Sequence, residues 1–138
     1  MVSKLGDLMT IFEPVEENKA TSKVKKVFDN IKKERKIKTI PNFWKTIAND
    51  PQTLERTWNS LKEIMKKGAL DPLTKEMLYI AVSMTNSCEY CIRSHTAAAR
   101  KKGMSDKMLR ELIAVVSMAN ETNRLVESYQ VEVDEFLK

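Results

Sequence analysis

Apolar residues in this chain recur at intervals of three and four, and no segment sustains alternation at a period of two. That spacing commits the backbone to helices, because positions i, i+3, i+4 and i+7 share one face of a helix but fall on both faces of a strand. The 138 residues include three glycines and four prolines, too few for the many tight turns of a β sandwich. No repeat of roughly 30–50 residues is found, so a solenoid is not expected. The length suggests one domain, burying about 70% of the surface its unfolded chain exposes. The expected fold is all-α, a single domain over residues 1–138 with about six to seven helices.

Caps and breakers set the expected boundaries. Residues 1–20 read as an irregular arm. Thr21 or Ser22 caps a helix with the stripe Val24, Val27, Phe28 and Ile31. Pro41 starts a short segment with Phe43, Trp44 and Ile47. Asp50-Pro51 opens a helix through Leu54, Trp58, Leu61, Ile64 and Met65 that stops at Gly68. Asp71-Pro72 repeats the device ahead of Leu73, Met77, Leu78, Ala81 and Met84. A fifth helix is expected from Asn86 or Ser87 to Gly103, a sixth after Ser105, and a seventh capped by Thr122 through Phe136. The eight methionines fall mostly on these stripes as packing residues, so no cofactor is called for.

The net charge is +5, with 15 Lys/Arg against 9 Asp/Glu in residues 1–69 and 9 against 10 in residues 70–138. The basic residues of the first half (Lys23, Lys25, Lys26, Lys32, Lys33, Arg35, Lys36 and Lys38) are interspersed with the apolar stripe of a helix and with Asp29 and Glu34. That pattern reads as a solvated helix face, and no aromatic residues interleave to stack bases, so no nucleic-acid partner is expected. The densest apolar run, Leu78 to Met84, is far short of a membrane span of about 18 residues. The N-terminal residues lack the apolar core of a secretory leader, so a cytoplasmic location and no membrane association are expected.

Chemistry concentrates at Cys88-Glu89-Tyr90-Cys91, which holds both cysteines of the chain, and at His95, its single histidine. At about 100° per residue, positions 88, 91 and 95 fall within an arc of roughly 60°, while Glu89 and Tyr90 point away. Cys88 is placed in the first helical turn, where free N–H groups favour a thiolate. His95 follows Cys91 by one turn and can take its proton. A thiol-redox centre needs an activated thiolate, a second thiol within about 6 Å between Cα atoms, and a base. Competing readings are two buried cysteines acting as small apolar residues, a structural disulfide, and a zinc site using Cys88, Cys91, His95 and a carboxylate. The last is disfavoured because structural zinc more often joins two separated ligand sets, so no metal is expected. Ile92 stands where a c-type haem motif demands histidine. Glu76 lies twelve residues before Cys88, and spacing alone would leave it a solvated helical carboxylate.

Taken together, Glu76, Cys88, Cys91 and His95 form Glu-x11-Cys-x2-Cys-x3-His. This resembles the alkylhydroperoxidase D-like branch of the carboxymuconolactone decarboxylase family. The likeness covers roughly residues 40 to 120, including Asp71-Pro-Leu-Thr-Lys-Glu76 and the run from Ala97 through Gly103-Met-Ser105. It implies an all-helical fold, protomers assembled as trimers or hexamers, and hydroperoxide reduction through a disulfide-forming pair. In the family's mechanism the residue matching Cys91 attacks peroxide and the one matching Cys88 resolves it, while those matching Glu76 and His95 relay a proton. Tyr90 is a departure, since the best-studied members carry a histidine there and a phenol is a poor base at neutral pH.

The resulting expectation is a peroxidase-like oxidoreductase with Cys91, Cys88, His95 and Glu76 as catalytic residues and no bound cofactor. It would take a small-molecule hydroperoxide and an unidentified thiol or dithiol reductant. Cys91 is assigned as attacker because a positioned base acts directly, whereas the helix dipole that favours Cys88 falls off over the first turn. Two alternatives are a lyase of the carboxymuconolactone decarboxylase type, whose branch generally lacks the cysteine pair, and a non-catalytic redox or metal-binding module. Stripes around Trp58, Met108 and Phe136 read as too apolar for one copy to bury, and a homo-oligomer is expected.

Overall fold

The helices that begin at Ser22, Pro72 and Asp106 start on side chains that satisfy backbone groups a helix end leaves open. The structure, a computed structural model, describes residues 11–138. The N-terminal half of the expected arm, with the segment read as lacking a leader, therefore lies outside the described residues. The remainder of that arm holds one 3-10 turn, Glu17–Lys19. Six α-helices follow among the described residues, with no strand: α1 Ser22–Arg35, α2 Asn42–Ile47, α3 Pro51–Met65, α4 Pro72–Thr85, α5 Glu89–Lys101 and α6 Asp106–Ser128. The all-α expectation holds. The chain divides into two compact units, one ending at Ile64 and one beginning at Met65.

In the first unit the Thr21 hydroxyl accepts the Val24 N–H and starts α1, whose stripe Val24, Val27, Phe28 and Ile31 is buried as the spacing requires. Ile40, Trp44, Ala48, Leu54 and Trp58 complete that core. The Trp44 and Trp58 rings meet edge to face at 5.4 Å, and the Arg35 guanidinium lies over both. Trp58 Nε1 donates to Asn30 Oδ1 at 2.7 Å, which satisfies the indole N–H. Trp58 is thus buried within this unit, while Ile64 of the same stripe is left exposed. Lys25, Lys26, Lys33 and Lys36 are exposed, while Lys23 pairs with Glu55 and Lys32 with Glu17.

In the second unit α4 packs against α5 and α6 around Ile80, Ala99 and Met104, with Leu73, Met77, Met84, Met108, Leu109 and Leu112 against them. Asp71 caps α4 by accepting the Thr74 N–H at 3.0 Å, with Pro72 in the first turn. Ser105 caps α6 by accepting the Met108 N–H at 3.1 Å.

One boundary and one residue's burial differ from expectation. No seventh helix begins at Thr122, because α6 runs unbroken from Asp106 to Ser128. The Thr122 hydroxyl donates back to the Ala119 carbonyl at 3.2 Å within the helix instead of capping a new one. Neither Gly nor Pro stands nearby to break the ladder. Val133 lies beyond α6, and Phe136 in a final 3-10 turn, Glu135–Leu137. The second difference is Leu78, expected in the core but half exposed on the outer side of α4.

Candidate active site

The turn joining α4 to α5 decides where the cysteines sit. The Ser87 N–H donates to the Met84 carbonyl and the Cys88 N–H to the Ser83 carbonyl at 2.9 Å, the paired bonds of a Schellman turn. That turn needs a left-handed residue, and Ser87 supplies it at φ 56°. The chain therefore leaves α4 and enters α5 without a loop, and Cys88 becomes the N-cap of α5. The expectation had placed Cys88 inside the first turn. Its sulfur lies 3.3 Å from the Cys91 N–H and accepts from it, as a serine hydroxyl would at this position. Cys88 and Cys91 are joined as a disulfide with Cα atoms 5.3 Å apart. Glu89 and Tyr90 lie on the exposed side, where Glu89 pairs with Arg93 one turn on.

His95 follows Cys91 by one turn of α5. Its Nδ1 lies 2.7 Å from Oε2 of Glu76, which α4 holds on its inner side with the side chain 7% exposed. The second oxygen is also used: Lys102 Nζ, at the end of α5, donates to Glu76 Oε1 at 3.0 Å. Burial alone would raise the carboxyl's pKa, but the hydrogen bonds from His95 and Lys102 and the charge of Lys102 outweigh it and hold Glu76 below its ordinary value. Glu76 is therefore an ionised acceptor at neutral pH. Against such a carboxylate, Nδ1 of His95 is the donor and Nε2 is the ring nitrogen left free to take a proton. The imidazole is also stacked on the Tyr79 ring, with centroids 3.6 Å apart and planes 20° from parallel.

The structure brings Glu76 to His95 and Cys88 to Cys91, the cysteines and His95 singled out from spacing and Glu76 from the family resemblance. It adds two that spacing reasoning passed over. Tyr79 lies three residues beyond Glu76 on α4, and Lys102 seven residues beyond His95. Seven residues at about 100° each fall roughly 20° short of two turns, so Lys102 shares the face of His95, and that signal was open to reading. Among the described residues, no group of three or more His, Cys, Asp or Glu side chains is arranged to hold a metal ion. No helix among them is long and apolar enough to cross a membrane.

Fold and site define an all-helical protein with a vicinal cysteine pair at the start of one helix and a carboxylate–imidazole couple bridging that helix to its neighbour. The model of the carboxymuconolactone decarboxylase family matches residues 51–131. The chain is also similar to the crystal structure of an alkylhydroperoxidase AhpD core from Rhodospirillum rubrum, at 46% identity and a TM-score of 0.89, over 94% of this chain and 98% of that one. It is 31% identical over 72 residues to the alkyl hydroperoxide reductase AhpD of Solibacter usitatus, covering 52% of this chain and 39% of that protein. It is 34% identical over 56 residues to the uncharacterized protein 4 in the cox locus of Paracoccus denitrificans, covering 41% of this chain and 50% of that protein. The matched stretch thus spans half or less of these curated relatives. This chain belongs to the carboxymuconolactone decarboxylase family, in its alkylhydroperoxidase D-like branch.

Proposed function

We propose that the protein is a thiol-dependent peroxidase that reduces hydroperoxides through Cys88 and Cys91. The observation that carries the reading is a closed Cys88–Cys91 pair on the same helix as a histidine whose Nδ1 is bonded to a buried, ionised carboxylate. In the reduced protein His95 Nε2 takes the Cys91 proton, and Glu76 stabilises the imidazolium that forms. The Cys91 thiolate attacks the terminal oxygen of the hydroperoxide, the O–O bond breaks, and the departing alkoxide leaves as alcohol with the proton from His95. Cys91 is now a sulfenic acid. Cys88 attacks its sulfur, water leaves, and the disulfide re-forms. Two electrons from an external dithiol then restore both thiols, and the donor leaves as its own disulfide.

The N-cap bond of Cys88 supports the reduction step. A thiolate leaving at this sulfur is met by the Cys91 N–H and the positive end of α5, and a stabilised thiolate leaves faster. A donor thiol would accordingly attack Cys91 sulfur and release Cys88. A cycle that must return to the dithiol suits a reducing compartment, and the cytoplasm is the proposed location. Assembly into a homo-oligomer, a trimer or hexamer, belongs to the same reading.

Turnover of hydrogen peroxide and cumene hydroperoxide with dithiothreitol as reductant tests it, with free thiols counted before and after peroxide. Loss of two thiols per chain together with catalytic turnover is the expected result. A reduced protein that keeps both thiols after peroxide, or that releases carbon dioxide from a carboxylated lactone instead, would reject it.

A further inference from the structure

We propose that Lys102 is the positioning residue of this site: its ammonium holds Glu76 aimed at His95 and so sets which imidazole nitrogen accepts the proton. The proposal rests on the reading of Glu76 and His95 as the relay. Each oxygen of the buried carboxylate has its own partner, Lys102 Nζ at 3.0 Å on Oε1 and His95 Nδ1 at 2.7 Å on Oε2. Removing Lys102 would leave Oε1 without that donor in a largely buried site, and the carboxyl's cheapest response is to take up a proton. A protonated Glu76 can donate to Nδ1 instead of accepting from it. His95 would then carry its hydrogen on Nε2, and that nitrogen would no longer be a base.

Lys102 is itself held in place. The Gly103 N–H donates to the Arg100 carbonyl and the Met104 N–H to the Ala99 carbonyl, closing a Schellman turn around Gly103 at φ 100°, and Ala99 and Met104 are both buried. Two charged groups close by in sequence are engaged elsewhere. Lys75, next to Glu76 on α4, donates to the Lys66 carbonyl, and Arg100 pairs with Asp106 at the start of α6. From α6 the residues packed on this core are Met108, Leu109 and Leu112, all apolar. On α4 the neighbouring titratable group is Tyr79, whose ring stacks on the imidazole.

The test uses the oxidised protein labelled with 15N-histidine and 13C-glutamate, so that no thiol chemistry intervenes. The chain has one histidine, which makes its ring nitrogens self-assigning, and Glu76 is identified by the signal missing from Glu76→Gln. In the unsubstituted protein the neutral ring should carry its hydrogen on Nδ1. In Lys102→Met the Glu76 carboxyl should titrate at higher pH, with the ring passing to the Nε2–H form as it protonates, and Lys102→Arg should restore both signals. Lys102→Gln replaces Lys102→Met should the latter lose its helical circular dichroism. The acid limb of kcat/KM for cumene hydroperoxide should rise with the carboxyl, costing about tenfold in rate per pH unit of displacement below the limb. A folded Lys102→Met protein with unmoved Glu76 and ring signals overturns the proposal. Signals that move in a protein that turns over no hydroperoxide leave Lys102 in its role and reject the peroxidase reading instead.

Discussion

Glu76 concentrates the site's electrostatics, being buried, charged and shared between an ammonium and an imidazole. Glu76→Gln keeps the shape and removes the charge, and hydroperoxide turnover should fall by about 10²–10⁴-fold with helical content unchanged. His95→Gln should do the same, and in steady-state kinetics the double variant should lose less than the product of the two; full additivity would count against a shared relay. The same carboxylate ties stability to pH. Its folded pKa lies below its unfolded one, so its stabilising contribution is present above the ordinary carboxylate range and fades as pH falls through the lowered value. Calorimetry should therefore show a flatter acid side of the Tm–pH curve for Glu76→Gln. The order of the thiols is tested by trapping: after brief peroxide treatment Cys88→Ser should give a dimedone adduct at Cys91, while Cys91→Ser reacts much more slowly. Faster labelling of Cys88 in mass spectra would reverse attacker and resolver. Cys88, Cys91 and His95 were legible because their spacing puts them on one helix face, and Glu76 only because the four together resemble a family motif. Tyr79 was not, and Lys102 only by its shared face with His95, since a tyrosine on an apolar stripe and a lysine near a helix end each have ordinary explanations until the partner helix is in place.

At the scale of elements, the turns that aim the site are Schellman motifs built on different residues. Gly103 supplies the left-handed position after α5 at no steric cost, while Ser87 supplies it after α4 with a side chain. Gly103→Ala should lower stability in urea by about 1 kcal/mol, through the backbone alone, because an added Cβ meets nothing within 4 Å. Ser87→Gly should raise it by roughly 0.5 kcal/mol, the strain relieved being partly offset by the freer unfolded chain. These turns also explain which boundaries could be read. Asp-Pro and Ser caps act on the residues that follow them, so the starts of α3, α4 and α6 are visible locally. The start of α5 is not, because it is fixed by a backbone turn that closes on Ser83 and Met84, upstream of both cysteines. Thr122 misled for a related reason: a hydroxyl that can cap a helix can equally bond back within one, and only continuity of the ladder decides.

At the scale of the molecule, the second unit leaves a particular kind of surface uncovered. Along α6, Val115, Met118, Leu125 and Tyr129 are all exposed, and with Thr122 they stand at alternating intervals of three and four. That is the spacing of a seam at which helices pair, and the second unit by itself does not cover it. Val131, Val133, Phe136 and Leu137 extend the exposed apolar surface beyond the helix end. Light scattering on the eluting protein at micromolar concentration should accordingly give the mass of a trimer or a larger assembly. A charge placed on the seam tests whether α6 makes the contact. Met118→Glu and Leu125→Glu together bury no less in the isolated unit, because both side chains are already exposed there, so helical circular dichroism should survive. The measured mass should drop toward that of one chain, and thermal stability should become independent of protein concentration. An assembly that persists with both glutamates in place would put its interface elsewhere, and a single chain mass for the unsubstituted protein would remove the assembly altogether.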